Sequence, residues 1–212
     1  MFPDVATIIV VAIAGLAMSA IPGPSMLYVL SRSMGQSHTA GLVSSLGLAV
    51  GGGVHVLLAV LGITVLINNM PAVMMLIKYC GALYLAYLGV TTIFEKPVAP
   101  EAVTIYPVKN TPPLNIFLQG VLVEVLNPKT IIFFIAFLPQ FIEPNNKFAI
   151  FHLLFLGALI PITAIPADVL VAFTGGMLAK KIATSSMAQR VISLVAGGIL
   201  ILLACRLFYM DF

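Results

Sequence analysis

The sequence predicts an all-α integral membrane protein in which a single transmembrane domain of six helices occupies residues 1–212. Of the 212 residues, 61% are hydrophobic and only 8% are charged, whereas soluble domains carry about 25% charged residues. The apolar residues also fall into six runs separated by short polar breaks, and a straight span needs about 20 such residues. This composition excludes a soluble globular domain. The small net charge of +3 is scattered, which argues against a nucleic-acid-binding surface.

The predicted helices differ in how regular they are. The apolar segments cover residues 5–31, 40–67, 72–94, 114–142, 148–178 and 190–209. The first, fourth and fifth are longer than a straight span and contain proline, which predicts tilted or broken helices. In the fifth segment, Pro161 and Pro166 are expected to open the helix just before Asp168. The first segment lacks a basic leader and is too long for a signal peptide, so we expect it to remain as a helix.

The chain is expected to consist of two halves, residues 1–94 and 114–212, linked by a cytoplasmic loop at 95–113. Pro22 and Pro128 lie half a chain length apart, each in the first helix of a three-helix set. Because three is odd, the second set crosses the membrane in the opposite sense. This is the arrangement of an inverted repeat, which many secondary transporters use.

The distribution of basic residues predicts the orientation, because cytoplasmic loops are enriched in lysine and arginine. Six basic residues are assigned to loops one, three and five. The opposite side of the membrane carries only Lys147 in its loops, with Lys78 and Arg206 inside spans near that side. Both termini are therefore expected to be periplasmic. The residues assigned to loops one, three and five are Arg32, Lys96, Lys109, Lys180, Lys181 and Arg190.

Two motifs predict helix breaks that could bind a substrate. Pro22-Gly23-Pro24 lies inside the first span, where two prolines around a glycine must break or strongly bend the helix. Asn127-Pro128-Lys129 is the counterpart in the fourth span. Broken helices in a membrane are tolerated only where the freed backbone groups face protein or a wet cavity. A packing kink is the alternative interpretation of each motif.

Four polar residues are predicted to lie deep in the membrane. Lys129 lies about 22 Å from the start of its span at Leu114, close to the middle of the bilayer. Asp168 and His55 reach similar depths in the fifth and second spans, and Glu124 shares a helix face with Pro128. A charge at this depth needs a partner. One cation and two carboxylates at one level match the ammonium and carboxylate of an amino acid, although a buried ion pair that only fastens helices is the alternative.

Small residues in the second and third spans predict close helix packing rather than a site. Gly47 and Gly51 show the small-residue spacing that lets two helix backbones approach, and Gly81 and Gly89 repeat this character in the third span.

No motif indicates a cofactor, a metal centre or an enzyme. Cys80 and Cys205 lie inside apolar runs without metal-ligand spacing, and we expect them to be buried, inert thiols. The sequence contains no His-Glu-x-x-His helix, no nucleophile elbow and no phosphate-binding loop.

In this order and at this spacing, the motifs resemble the LysE/RhtB family of amino-acid exporters, the LysE-type translocators, over essentially the whole chain. Asp168 matches the acid expected in the fifth helix. The first loop departs from the family, because Gln36 to Thr39 precede Ala40-Gly41-Leu42 where paired basic residues are common. The resemblance implies export of amino acids or close derivatives across a bacterial inner membrane, driven by an ion gradient. The matching motifs are Pro22-Gly23-Pro24, the run from Gly81 to Gly89, and Asn127-Pro128-Lys129 followed by the run from Phe137 to Phe141.

The predicted function is a secondary exporter of an amino acid, coupled to protons. Substrate is expected between the broken helices, with its carboxylate at the half-helix N-termini and its ammonium at Asp168 or Glu124. One of these acids would exchange the proton, and Lys129 would neutralise them in the empty site. The alternative is a divalent-cation exporter with His55, Glu124 and Asp168 as ligands, which the fixed charge of Lys129 disfavours. Expected partners are the substrate, protons and membrane lipid, with no nucleic acid, and a homo-oligomer stays open.

Overall fold

Every regular element in the described part of the chain is a helix. The computed structural model describes residues 3–21, 23–69, 71–94, 110–141, 147–174 and 185–209. The helices are α1 (Val5–Ala20), α2 (Pro24–Gly35), α3 (His38–Asn69), α4 (Pro71–Phe94), α5 (Pro113–Val125), α6 (Pro128–Phe137) with a 3-10 turn (Leu138–Phe141), α7 (Ala149–Phe173) and α8 (Ser186–Tyr209).

The helices form four unbroken candidate spans and two bent pairs. The helices α3, α4, α7 and α8 are each long and apolar enough to cross a bilayer. The helix α1 meets α2 at 59°, and α5 meets α6 with its 3-10 turn at 53°. Counting each bent pair as one span gives six spans. The predicted fold class is confirmed, including the breaks in the first and fourth spans.

Proline determines where the two bent spans resume. Pro24 and Pro128 occupy the first turns of α2 and α6, where a missing N–H costs nothing because no helical acceptor is available there. Asn127 caps α6, since its Oδ1 accepts a hydrogen bond from the Lys129 N–H at 3.1 Å. The residue before α2 is Gly23, which has no side chain to cap the helix.

The expected opening of the fifth helix is wrong. Helix α7 runs without a break through Pro161 and Pro166 to Phe173. A lone proline removes one backbone donor and can be accommodated by a bend, whereas the Pro-Gly-Pro motif removes two donors within three residues. The Thr163 hydroxyl, two residues after Pro161, donates to the carbonyl of Ile160 at 2.9 Å.

The expected burial of the cysteines is also wrong, because Cys80 and Cys205 are both exposed on the surface of the chain. In a soluble protein an apolar run indicates the core. In a membrane protein the outside of the bundle is apolar too, so hydrophobicity does not distinguish a lipid-facing position from a buried one.

Close backbone contacts join the two halves of the chain, as the small residues predict. The helix α3 packs against α5 and α7, and α4 packs against α8. A Cβ at Gly51 would lie 2.8 Å from the carbonyl oxygen of Val121, and one at Gly81 would lie 2.6 Å from that of Ala136. A Cβ at Gly89 would likewise lie 2.7 Å from the carbonyl oxygen of Gly197.

Adding a methyl group at Gly47 is expected to destabilise the fold. An alanine Cβ there would clash with the carbonyl oxygen of Phe117 in α5, so α3 and α5 would have to separate, and overpacking of this kind costs about 1–3 kcal/mol. Gly53→Ala is the matched control, because it lies in the same helix and its Cβ would meet nothing within 4 Å. Thermal unfolding in detergent should place Gly47→Ala below the wild type and Gly53→Ala at or above it. Equal melting temperatures for the two variants would contradict the close packing of α3 on α5.

Candidate functional site

The break between α1 and α2 is held by a cation from the second half of the chain. Proline at position 22 has no N–H, so the carbonyl of Met18, four residues earlier, lacks its helical donor. Lys129 Nζ donates to this carbonyl at 3.1 Å and to that of Ile21 at 2.9 Å. A cation is favourable here because the last carbonyls of a helix carry partial negative charge. Pro22 itself lies outside the described residues.

The second break is held in a reciprocal way by the first half. Pro128 has no N–H, and the carbonyl four residues earlier belongs to Glu124. His55 Nε2 donates to this carbonyl at 2.9 Å, and the Asn127 N–H donates to it at 3.0 Å. The imidazole also stacks on Phe134, with ring centroids 5.8 Å apart. Each half therefore provides a side chain that binds the carbonyl freed by proline in the other half.

The carboxylate of Glu124 links the two breaks. Its Oε1 accepts a hydrogen bond from the Thr130 hydroxyl at 2.8 Å, and its Oε2 accepts one from the Ser25 hydroxyl. Asn127 Nδ2 donates to Ser25 Oγ at 2.9 Å, and Asn127 is only 2% exposed. The start of α2 is thus tied to both the end of α5 and the start of α6.

A cavity of about 80 Å³ lies between the breaks, with room for several water molecules. The charged side chains lining it in the described residues are Glu124, Lys129 and Asp168, all half-buried. The structure therefore brings together the cation and both carboxylates that the sequence places at one depth. The rest of the lining is largely apolar and includes Met18, Leu48, Phe133, Phe134 and Ile160.

The other predicted site residues are close to this cavity but play different parts in the geometry. Gly23 allows close approach, because a Cβ there would lie 3.1 Å from Lys129 Nζ; its φ of −168° is ordinary extended backbone. Pro24 and Pro128 begin helices. His55 is buried behind Glu124 and does not line the cavity.

Sequence reasoning missed Ser25 and Thr130. A hydroxyl inside a helix is common and usually bonds its own backbone, so neither residue stands out in the sequence. The sequence did contain one usable pattern, because the carbonyl of the residue four positions before a proline has no N–H to accept from. Applied to Pro22 and Pro128, that pattern identifies the carbonyls of Met18 and Glu124.

Arg32, assigned to the first loop from the sequence, lies instead in the last turn of α2 and is 9% exposed. Its guanidinium donates to Thr111 Oγ1 at 3.0 Å and to Gln119 Oε1 at 2.6 Å. It also lies over the ring of Tyr28, at 5.6 Å from the centroid. Arg32 therefore connects α2 to α5 and to Thr111, which precedes α5.

The geometry offers the divalent-cation alternative no support in the described residues, where no three His, Cys, Asp or Glu side chains converge closely enough to hold a metal ion. The ring nitrogen His55 Nε2 is also occupied by the Glu124 backbone carbonyl, and a nitrogen that donates a proton cannot bind a metal.

Comparison with known proteins agrees with the family resemblance of the sequence motifs. The sequence model described as LysE type translocator matches residues 16–211. A leucine efflux protein of Salmonella typhimurium is 31% identical over 123 residues, which cover 58% of this chain and 57% of that protein. An uncharacterized membrane protein of Pseudomonas aeruginosa is 32% identical over 162 residues, or 75% of this chain and 74% of that protein.

A longer match is an uncharacterized membrane protein of Bacillus subtilis, 31% identical over 187 residues, which cover 85% of this chain and 88% of that protein. The match to the leucine efflux proteins, in contrast, spans little more than half of their length. No solved structure matches the chain significantly.

Proposed function

Because the chain belongs to the family of LysE type translocators, we propose that it is a secondary exporter of amino acids or close derivatives in the bacterial inner membrane. Membership of a translocator family makes it a transporter rather than an enzyme. Relatives named leucine efflux protein make leucine the first substrate to test. The apolar lining of the cavity supports a substrate with an apolar side chain.

The observation that best supports this proposal is the cavity between the two helix breaks, which can complement both charges of an amino acid. The N-terminus of α2 has no side-chain cap, so the N–H groups of Ser25 and Met26 can bind the substrate carboxylate. Both residues line the cavity. Asp168 or Glu124 would hold the ammonium, and Lys129 balances these two charges.

The same arrangement supports proton coupling. An exporter that works against a gradient needs a second ion, and a carboxylate inside the cavity can carry a proton when it does not hold the substrate ammonium. The two halves, residues 1–94 and 114–212, would form the inverted repeat that alternates access to the cavity. The reciprocal binding of Met18 and Glu124 carbonyls by Lys129 and His55 supports that symmetry.

The function is tested by expressing the chain in a bacterial strain fed dipeptides and identifying the amino acids released into the medium. Cells that express the chain should release leucine or another apolar amino acid faster than cells with an empty vector. If no amino acid accumulates in the medium beyond the vector control at equal growth, the proposed function is wrong.

Both termini are expected to lie in the periplasm, because the basic residues cluster on the side assigned to the end of α2, with Arg32, and to loops three and five, and an even number of spans returns the chain to the same side. Alkaline phosphatase fused after Phe212 should be active, whereas green fluorescent protein fused at the same place should be dark. The same two fusions placed after Lys96 serve as the internal control and should give the opposite pattern. A fluorescent C-terminal fusion would show that the C-terminus is cytoplasmic and that the predicted orientation is wrong.

A further inference from the structure

We infer that the two carboxylates of the cavity have different tasks: Asp168 holds the substrate ammonium and exchanges the coupling proton, whereas Glu124 is a positioning residue. Glu124 fastens the two helix breaks to each other. This assignment rests on the proposed function and distinguishes between two acids that the sequence leaves equivalent.

Both carboxylate oxygens of Glu124 are already engaged by hydroxyl groups, those of Thr130 and Ser25. The direction of the Ser25 bond is fixed, because Asn127 Nδ2 donates to Ser25 Oγ and an amide NH₂ cannot accept. The Ser25 proton therefore points at Glu124. Loss of the Glu124 carboxylate would remove the shared acceptor of both bonds, which would loosen the two breaks.

The backbone around Glu124 is also held in place. Its carbonyl accepts hydrogen bonds from His55 Nε2 and from the Asn127 N–H. On the α3 side, a Cβ at Gly51 would lie 2.7 Å from Glu124 Cβ, so the two helices are in close contact here. Glu124 is therefore held by its carboxylate, its carbonyl and its contact with α3. This suits a structural role better than alternate binding and release of a ligand.

Asp168 is in the opposite situation. It lines the same cavity from α7 and is half-buried, yet nothing in the described part of the chain donates a hydrogen bond to its carboxylate. The ionisable groups around it are Glu124 of α5 and Lys129 of α6. On the α3 side, His38 bonds the carbonyl of Ala172, one turn further along α7, at 2.8 Å. On the α2 side, Arg32 is directed at α5.

A single carboxylate with these properties accounts for exchange of one cation for another. The ionised form of Asp168 can bind the substrate ammonium, and after the substrate leaves, the same oxygens can take up one proton. No bond in the substrate forms or breaks, and the proton that is taken up on one side of the membrane is released on the other. Substrate and proton therefore compete for Asp168.

Binding of labelled leucine, or of the amino acid that the feeding experiment identifies, distinguishes the two roles when it is measured against pH in proteoliposomes of the full chain. Wild-type affinity should fall as the pH is lowered, because protons compete at Asp168. Asp168→Asn should lower the affinity about tenfold or more, the effect of losing a hydrogen bond to a charged group, and should abolish the pH dependence. Glu124→Gln should slow transport but keep the wild-type pH dependence of binding.

Thr130→Val is the matched variant for the positioning role, because it removes one hydroxyl from Glu124 without changing side-chain size. It should lower the melting temperature and the transport rate while leaving the pH dependence of binding as in the wild type. The inference is wrong if Asp168→Asn still binds with a pH-dependent affinity, or if Glu124→Gln or Thr130→Val removes that dependence. A wild-type protein that transports none of a panel of amino acids would instead refute the proposed function.

Discussion

Replacing Lys129 with methionine is expected to abolish export while leaving the protein inserted in the membrane. The carbonyls of Met18 and Ile21 lose a charged donor, and a hydrogen bond to a charged group contributes about 1.5–3 kcal/mol. Glu124 and Asp168 also lose the one cation among the described residues that line their cavity. The loss of one charged hydrogen bond alone corresponds to at least about a tenfold lower rate. Because the two carboxylates lose their cation as well, we expect no measurable efflux.

Efflux of labelled amino acid from cells with matched amounts of protein in the membrane measures this effect. Lys147→Met is the control, because it makes the same chemical change at an exposed position outside the described helices, and it should export like the wild type. Export by Lys129→Met at the rate of Lys147→Met would show that the contacts of Lys129 with the helix break are not needed for export.

Changing Asn127 to aspartate is expected to reduce export by at least about tenfold, because it separates two functions of one side chain. The new carboxylate can still cap the Lys129 N–H, but it cannot donate to Ser25 Oγ, which now depends on Asn127 Nδ2. It also places a second negative charge one hydroxyl away from Glu124, and a like charge in a buried site costs several times the energy of an exposed one.

The same substitution at Asn115 is the matched control for this variant. Asn115 is exposed in the first turn of α5, where an added negative charge is favourable, so Asn115→Asp should export normally. Transport by both variants is measured in the same efflux assay, with melting temperatures to verify folding. Wild-type efflux by Asn127→Asp would mean that the bond between Asn127 and Ser25 does not hold the breaks together.

The helix breaks were predictable because proline acts locally. Its missing N–H weakens helical hydrogen bonding at a position that the sequence alone gives, and Pro22, Pro24 and Pro128 indicate where two spans stop or resume. The same local argument failed at Pro161 and Pro166, where α7 continues. The outcome there depends on whether the packed neighbouring helices keep the chain helical around a lone proline, which local sequence does not give.

The partners of the freed carbonyls could not be predicted, because they come from residues far away in the sequence. Lys129 reaches Met18 across a separation of 111 residues, and Ser25 reaches Glu124 across 99. The sequence placed Lys129, Glu124 and Asp168 at one depth, but depth alone does not indicate which acid is engaged by hydroxyl groups. The exposed cysteines show the same limit, since hydrophobicity gives depth in the membrane and not the direction in which a side chain faces.

We propose that this chain exchanges an apolar amino acid for a proton through Asp168. The most direct measurement is uptake of labelled leucine into proteoliposomes of the purified protein with an acidic lumen, in which outward proton flow would drive leucine inward. The wild type should accumulate leucine above the external concentration, a protonophore should remove this accumulation, and Asp168→Asn should show neither accumulation nor exchange. Accumulation by Asp168→Asn at the wild-type rate, or uptake by the wild type that does not depend on the pH gradient, would refute proton exchange through Asp168.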